Sequence, residues 1–202
     1  MSWKVITEPA EEPISLAEAK LNLRIDDDLD HEDDVVEGLI VAARRYCEKH
    51  TGRQFVTAGL RLALDKFPAR ERGLIELPSP PLIGSVVVKY YDADNVLTTL
   101  AADAYDVDTI GEPGRIRPVT GTNWPTVRDR LNAVLIEYSA GYGSAADVPF
   151  TIKRAMHLLV GHWFKNREAL GNVGGEVALA VRSLLGVEWD GTYRYAGHGG
   201  ER

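Results

Sequence analysis

Residues 60–65 read Leu-Arg-Leu-Ala-Leu-Asp, an alternation of apolar and other side chains that is typical of a β-strand with one buried face. Similar alternation recurs in parts of residues 85–91, 96–100 and 133–138. Short turns rich in Pro, Gly, Asp and Asn separate these runs, as expected for strands that follow one another in an antiparallel sheet. The sequence therefore predicts an antiparallel β region over residues 54–142.

Helical patterns lie on both sides of this region. On its N-terminal side, Ser15 and Glu18 have the spacing of a capping box, which predicts a short helix near residues 15–23. Apolar residues then recur at a helical period up to Cys47, which predicts a second helix near residues 31–51. Acidic residues fill the start of this second helix and basic residues its end, as the helix dipole favours.

The C-terminal side repeats the helical pattern. An apolar stripe from Ile152 to Trp163 predicts a helix near residues 148–168. After a glycine-rich break, a shorter apolar segment predicts a fourth helix near residues 177–186. The fold class that follows is α+β, a small helical bundle with an inserted antiparallel β region.

This reading divides the chain into three parts. Residues 1–53 and 143–186 are expected to form the helical core domain, and residues 54–142 the β insertion. Residues 187–202 are expected to form a flexible C-terminal tail, because their aromatic residues are interrupted by glycines and cannot build a core of their own.

Composition narrows the function classes. The 202 residues contain 30 Asp and Glu against 23 Lys and Arg, a net charge of −7. A chain of this sign gains little from neutralising phosphates, which argues against a free-standing DNA-binding protein. The single cysteine, Cys47, cannot form an intramolecular disulfide, and the apolar stretches fall short of the roughly 20 residues that a bilayer helix needs. We expect a cytoplasmic protein with no membrane association.

Catalytic, cofactor and metal motifs are not evident. Asp26, Asp28, Asp30 and Glu37 fall at calcium-loop positions, but His31 stands where that loop needs a glycine. The glycine-containing turn at residues 141–146 lacks the βαβ context of a dinucleotide site. No zinc-protease, Cys-x-x-Cys or nucleophile-elbow pattern occurs. We therefore expect no enzyme activity, no cofactor and no metal site.

Several ordered motifs resemble those of one family. They are Ser-Leu-Ala-Glu-Ala-Lys at 15–20, Tyr-Cys-Glu-Lys-His-Thr-Gly-Arg at 46–53, Leu-Pro-Ser-Pro-Pro-Leu at 77–82, Tyr-Tyr-Asp at 90–92, Tyr-Ser-Ala-Gly-Tyr-Gly at 138–143, Asp-Val-Pro at 147–149 and Gly-His-Trp-Phe-Lys-Asn-Arg-Glu at 161–168. Their order resembles the head–tail connector, or adaptor, proteins of tailed bacteriophages. The long β region resembles the larger branch of that family.

The resemblance implies a structural virion protein without catalysis. Such proteins form a ring, usually of twelve subunits, under the portal protein of the capsid. The ring extends the DNA channel and docks the head-closure or tail-completion proteins. For this chain the resemblance implies a place at the virion neck, after assembly in the bacterial cytoplasm. Double-stranded DNA is expected to pass through the channel without sequence-specific binding.

Two groups of residues are candidate contacts in such a ring. A ring needs two different, complementary faces on each subunit. The acids Asp33 and Asp34 at the start of the second helix carry charge opposite to four basic residues, which we expect at the subunit interface: Arg44, Arg45, Lys153 and Arg154. In the tail, we expect portal binding through Trp189, Tyr193, Arg194 and Tyr195.

Two other functions fit the sequence less well. A head-closure or tail-completion protein is the first, but such proteins tend to be mostly β, whereas this chain has helical patterns at both ends. The second is a host-side protein-binding module without catalysis. A basic strip interleaved with aromatic residues would support a regulator that binds nucleic acid, but the basic residues here are scattered.

Overall fold

The computed structural model describes residues 2–26, 29–69, 73–166 and 175–187. The described elements are β1 (Ser2–Thr7), α1 (Leu16–Leu23), α2 (Asp33–Thr51), β2 (Ala58–Leu64), β3 (Ile75–Glu76), β4 (Leu82–Tyr91), β5 (Leu97–Thr99), β6 (Tyr105–Asp108), β7 (Arg115–Pro118), β8 (Val134–Ala140), α3 (Phe150–Lys165) and α4 (Gly175–Val187). The prediction of an α+β fold with helices on both sides of a β region is confirmed.

Two compact units make up the described chain. The β unit contains residues 2–10 and 57–142, and the helical unit contains residues 11–56 and 143–187. Within the helical unit, Val56 and Gly143 form an isolated parallel β-bridge. The chain therefore leaves the helical unit and returns to it at neighbouring points.

The β unit contains two antiparallel sheets. The larger sheet has the order β1-β2-β8-β4-β5 and the smaller one β3-β7-β6. In β2 and β8 every second residue is buried, as the alternation in the sequence predicted. These inward residues, with Ile75 and Ile116 of the smaller sheet, form one apolar core.

Aromatic residues extend this core at one side. Trp124 stacks on Phe67 with ring centroids 4.7 Å apart, and its indole N–H donates to the carbonyl of Gly73 at 2.6 Å. Gly73 has φ of +78°, and a Cβ built there would lie 2.6 Å from the Trp124 nitrogen. Both the backbone conformation and the space therefore require glycine at this position.

The helical unit is built on α2 and α3. The capping box that starts α1 is present as predicted, since the Glu18 amide donates to Ser15 Oγ and the Ser15 amide donates to Glu18 Oε2. Buried side chains of α2 and α3 form the core of this unit: Val36, Leu39, Ile40, Ala43, Cys47, Ile152, Ala155, Met156, Leu159, Val160 and Trp163. Burial raises the pKa of the Cys47 thiol to about 12, so this cysteine acts as a small apolar side chain.

One part of the expected division was wrong. Residues 1–53 were assigned to the helical domain, but β1 pairs with β2, Trp3 lying opposite Leu62 and Val5 opposite Leu60. The strand adds an edge to the larger sheet, and Val5 packs against its core, so residues 2–10 lie in the β unit. The helix expected from residue 148 begins at Phe150, because Pro149 restricts the residue before it to an extended conformation.

Candidate interaction surfaces

The start of α2 carries the acids expected at an interface. Asp34 is exposed, and Asp30 and Glu37 are exposed near it. Asp33 is half-buried, and its Oδ1 lies 2.9 Å from the ammonium of Lys20 on α1. One of the two predicted acids therefore has an ionic partner within the subunit, while the other faces outward.

Arg44 is buried, although the charge pattern predicted it at the subunit interface. Its side chain is only 6% exposed, and Nε lies 2.8 Å from Glu12 Oε2 while Nη1 lies 3.0 Å from Glu48 Oε2. Removing both carboxylates would leave a buried guanidinium without an ionic partner among these acids, at a high cost in free energy. Arg44 therefore ties the segment before α1 to the C-terminal half of α2, rather than offering its charge to another subunit.

Glu48 is the centre of this buried network. Its Oε1 accepts hydrogen bonds from Gln54 Nε2 at 2.7 Å and from the Phe55 amide at 3.2 Å. Burial raises the pKa of Glu48 to about 7, although Arg44 acts in the opposite direction. The network fixes the chain where it turns from α2 towards Val56.

The other predicted basic residues lie on two helices. Arg45 on α2 and Arg154 on α3 are exposed, and Lys153 on α3 is half-buried. Lys153 acts within the subunit, since its charge helps the Ser15 amide to lower the pKa of Glu18. Arg45 and Arg154 stay candidates for contacts with another molecule.

A cleft of about 700 Å³ in the helical unit has an acidic rim. Glu11, Glu12, Glu18, Glu37 and Lys153 contribute its charged groups. Most of these already have roles in the fold: Glu11 Oε1 accepts from the Ala145 amide at 2.7 Å, and Glu18 completes the α1 cap. Among residues 2–26, 29–69, 73–166 and 175–187, no group of three or more His, Cys, Asp or Glu side chains could hold a metal ion.

The outer face of the larger sheet carries a charge cluster that sequence reasoning missed. Glu137 on β8 accepts from Arg61 on β2, at 2.9 Å from Nε and 2.5 Å from Nη2, and from Lys89 Nζ on β4 at 2.7 Å. The alternation in β2 placed Arg61 on the outer face, but the strand pairing that brings Lys89 and Glu137 to it could not be read from spacing alone.

Two predictions fall outside what the structure describes. The portal-binding residues proposed in the tail, Trp189, Tyr193, Arg194 and Tyr195, lie beyond the described residues. Within the described part of the chain, no helix is long and apolar enough to cross a membrane.

Part of the chain matches the model of a known protein family. The family model described as "Phage gp6-like head-tail connector protein" matches residues 13–98, which include α1, α2 and the strands β2, β3 and β4. No curated protein matches the chain. Over these residues, the match bears out the resemblance to head–tail connector proteins that the ordered motifs indicated.

Solved structures match over almost the whole chain. One is a chain from the neck of an empty gene transfer agent (GTA) particle computed with C6 symmetry, with a TM-score of 0.78, 24% identity and coverage of 98% of this chain and 99% of that one. A chain from the virion of a native GTA particle gives the same values. A chain from the native neck computed with C12 symmetry matches at a TM-score of 0.70, again with 24% identity and 98% and 99% coverage. These likenesses confirm the fold, including the β unit.

Proposed function

We propose that this protein is a non-catalytic subunit of a ring at the neck of a phage-like particle. The observation that carries the proposal is the connector-family match over residues 13–98, joined to a fold shared over 98% of the chain with neck components. The ring lies against the portal protein, continues the DNA channel and receives the head-closure or tail-completion proteins.

The buried chemistry of the chain supports a structural role. The most shifted carboxyl group of the described residues in the helical unit, Glu48, is enclosed by Arg44, Gln54 and the Phe55 amide. Its two carboxylate oxygens accept three hydrogen bonds from groups of the fold, which suits a residue that fixes the chain rather than one that meets a substrate. Two acids of the cleft rim, Glu11 and Glu18, likewise accept hydrogen bonds from backbone amides.

Electron microscopy of the protein mixed with its own portal protein tests this function. The expected result is a second ring coaxial with the portal ring, with its density accounted for by this chain. Portal rings that remain bare, or density for this chain only at the far end of an assembled tail, would contradict the proposal. The second outcome would favour a head-closure or tail-completion protein instead.

A further inference from the structure

Basic side chains cluster on the outer face of the larger sheet, although the chain as a whole is acidic. In the strand register Lys4 lies opposite Arg61, Arg61 opposite Glu137, and Glu137 opposite Val87. Residues directly opposite one another point to the same side of a sheet, so these four form a row across β1, β2, β8 and β4. Lys89 lies two residues beyond Val87 on the same side. We call the surface formed by Lys4, Arg61, Lys89 and Glu137 the basic sheet face.

Glu137 orders the basic sheet face without neutralising it. Its two oxygens are shared between Arg61 and Lys89, so one carboxylate holds two cations. With Lys4, three positive charges stand against one negative charge. Hydrogen bonds that already fix the side chains reduce the conformational entropy that a partner would have to remove on binding.

Apolar side chains lie among these charges. Val87, Ala63 and Leu135 alternate with the cations and are partly exposed, and Leu97 on the neighbouring edge strand is 45% exposed. A surface that mixes oriented charges with apolar area suits a protein partner better than a phosphate backbone.

A surface of complementary character lies at the start of α2. The acids Asp30, Asp34 and Glu37 are exposed there, and Leu29 and Val35 are 43% and 41% exposed. We call this surface the acidic helix start. Arg44, which the charge pattern had suggested as its partner, is buried with Glu12 and Glu48, so its complement lies elsewhere.

We propose that the basic sheet face of one copy docks on the acidic helix start of the next copy. A closed ring requires such a contact between two different patches of identical subunits. Opposite charges steer and orient the two surfaces, and the apolar residues beside them supply contact area. The proposal rests on the ring function and names the surfaces that build the ring.

Two variants that change the charge of one surface each, and a third that combines them, provide the test. The sheet variant is Lys4→Glu with Lys89→Gln, and the helix variant is Asp34→Lys with Glu37→Lys. Arg61 is kept so that Glu137 retains a partner. Matched controls, Lys66→Glu with Lys49→Gln and Asp94→Lys with Asp103→Lys, make the same charge changes at exposed positions elsewhere. Unchanged thermal unfolding of each variant shows that the subunit still folds.

Ring formation on the portal protein is counted by electron microscopy over a range of protein concentrations. Each reversal is expected to raise the concentration needed for half-occupancy by about tenfold or more, while the swap that combines both variants recovers most of the loss. If both reversal variants form rings at the wild-type concentration, or if the combined swap recovers none of the loss, this docking is overturned and the ring function is left standing. Absence of wild-type rings would instead overturn the ring function.

Binding to a labelled 30-base-pair DNA duplex tests whether DNA, rather than a second copy, occupies the basic sheet face. Wild-type protein is expected not to bind it detectably at physiological salt, since the chain carries a net charge of −7. Tight binding that the sheet variant abolishes would make DNA the occupant of the basic sheet face and would overturn the proposal.

Discussion

Arg44 and Glu12 are 32 positions apart in the chain, yet Nε of the first lies 2.8 Å from Oε2 of the second. Together with Glu48, this contact joins the segment before α1 to the last turns of α2. The contact explains why a charged residue occupies a position that the helix turns towards its core.

Arg44→Ala is expected to destabilise the protein by about 3–5 kcal/mol, because Glu12 and Glu48 then lose their buried cation. Urea unfolding followed by circular dichroism measures this change. Arg45→Ala, at the exposed neighbouring position, is the control and is expected to change the free energy of unfolding by less than about 1 kcal/mol. Equal effects of the two substitutions would contradict the buried role of Arg44.

Glu48 predicts a specific pH dependence. Its folded pKa of about 7 lies above the ordinary value of 4.5, so the folded state holds the proton more tightly than the unfolded state. Its contribution to stability is therefore fully present below pH 4.5 and is lost as the pH rises through 7.

Unfolding free energies at pH 5 and pH 8 test this behaviour. Glu48→Gln cannot titrate, so it is expected to lose less stability than the wild type between the two values, by about 1–3 kcal/mol. Glu176→Gln, an exposed substitution, is expected to follow the wild type. A parallel pH profile for Glu48→Gln would show that Glu48 is already ionised at pH 5.

Asp108 is expected to titrate at unusually low pH. The Gly111 amide, the Arg115 guanidinium and the Ile110 amide hold its pKa at about 2, below the ordinary 3.8. NMR titration of the side-chain carboxyl measures this value. Arg115→Gln is expected to raise the pKa only part of the way to 3.8, because the amides remain. The stability that Asp108 adds is present above pH 3.8 and is lost as the pH falls through 2.

Gly73 and Gly84 form a matched pair for the aromatic cluster. Both have positive φ, +78° and +75°, but a Cβ at Gly84 meets no atom within 4 Å, whereas one at Gly73 meets Trp124. Gly73→Ala is expected to lower the free energy of unfolding by about 1–3 kcal/mol more than Gly84→Ala. Both substitutions strain the backbone at a positive φ, but only the one at Gly73 also clashes with a side chain. Similar losses in urea unfolding would mean that Trp124 moves aside without cost.

Truncation after Val187 tests the tail. The shortened chain is expected to keep its thermal unfolding midpoint, because it retains all the buried apolar residues of the described chain, up to Leu185. It is expected to lose binding to the portal protein in a pull-down. A triple substitution of Trp189, Tyr193 and Tyr195 to Ala should reproduce this loss. Undiminished binding by both variants would remove the role proposed for these residues.

Local sequence patterns predicted helices and strands well where residues a few positions apart determine the conformation. The Ser15–Glu18 cap starts α1, and the alternation of residues 60–65 places Leu60 and Leu62 in the core. Such features depend on neighbours a few positions away, so they can be read from spacing.

Contacts between distant residues could not be read in this way. The basic residues at the end of α2 fit a helix-dipole pattern, and nothing in that pattern separates buried Arg44 from exposed Arg45. The edge strand β1 was missed for a similar reason, although its aromatic and β-branched residues were a usable signal. Its partner, β2, begins only at Ala58, so the pairing joins distant parts of the sequence.

The bridge between Val56 and Gly143 has a consequence for the ancestry of such proteins. Because the strands leave and rejoin the helices at adjacent backbone positions, a direct splice of the two points keeps α2 and α3 in place. We therefore expect related proteins to vary in the intervening segment while keeping the helical core, with the first ten residues, whose strand would lose its neighbour, varying alongside it.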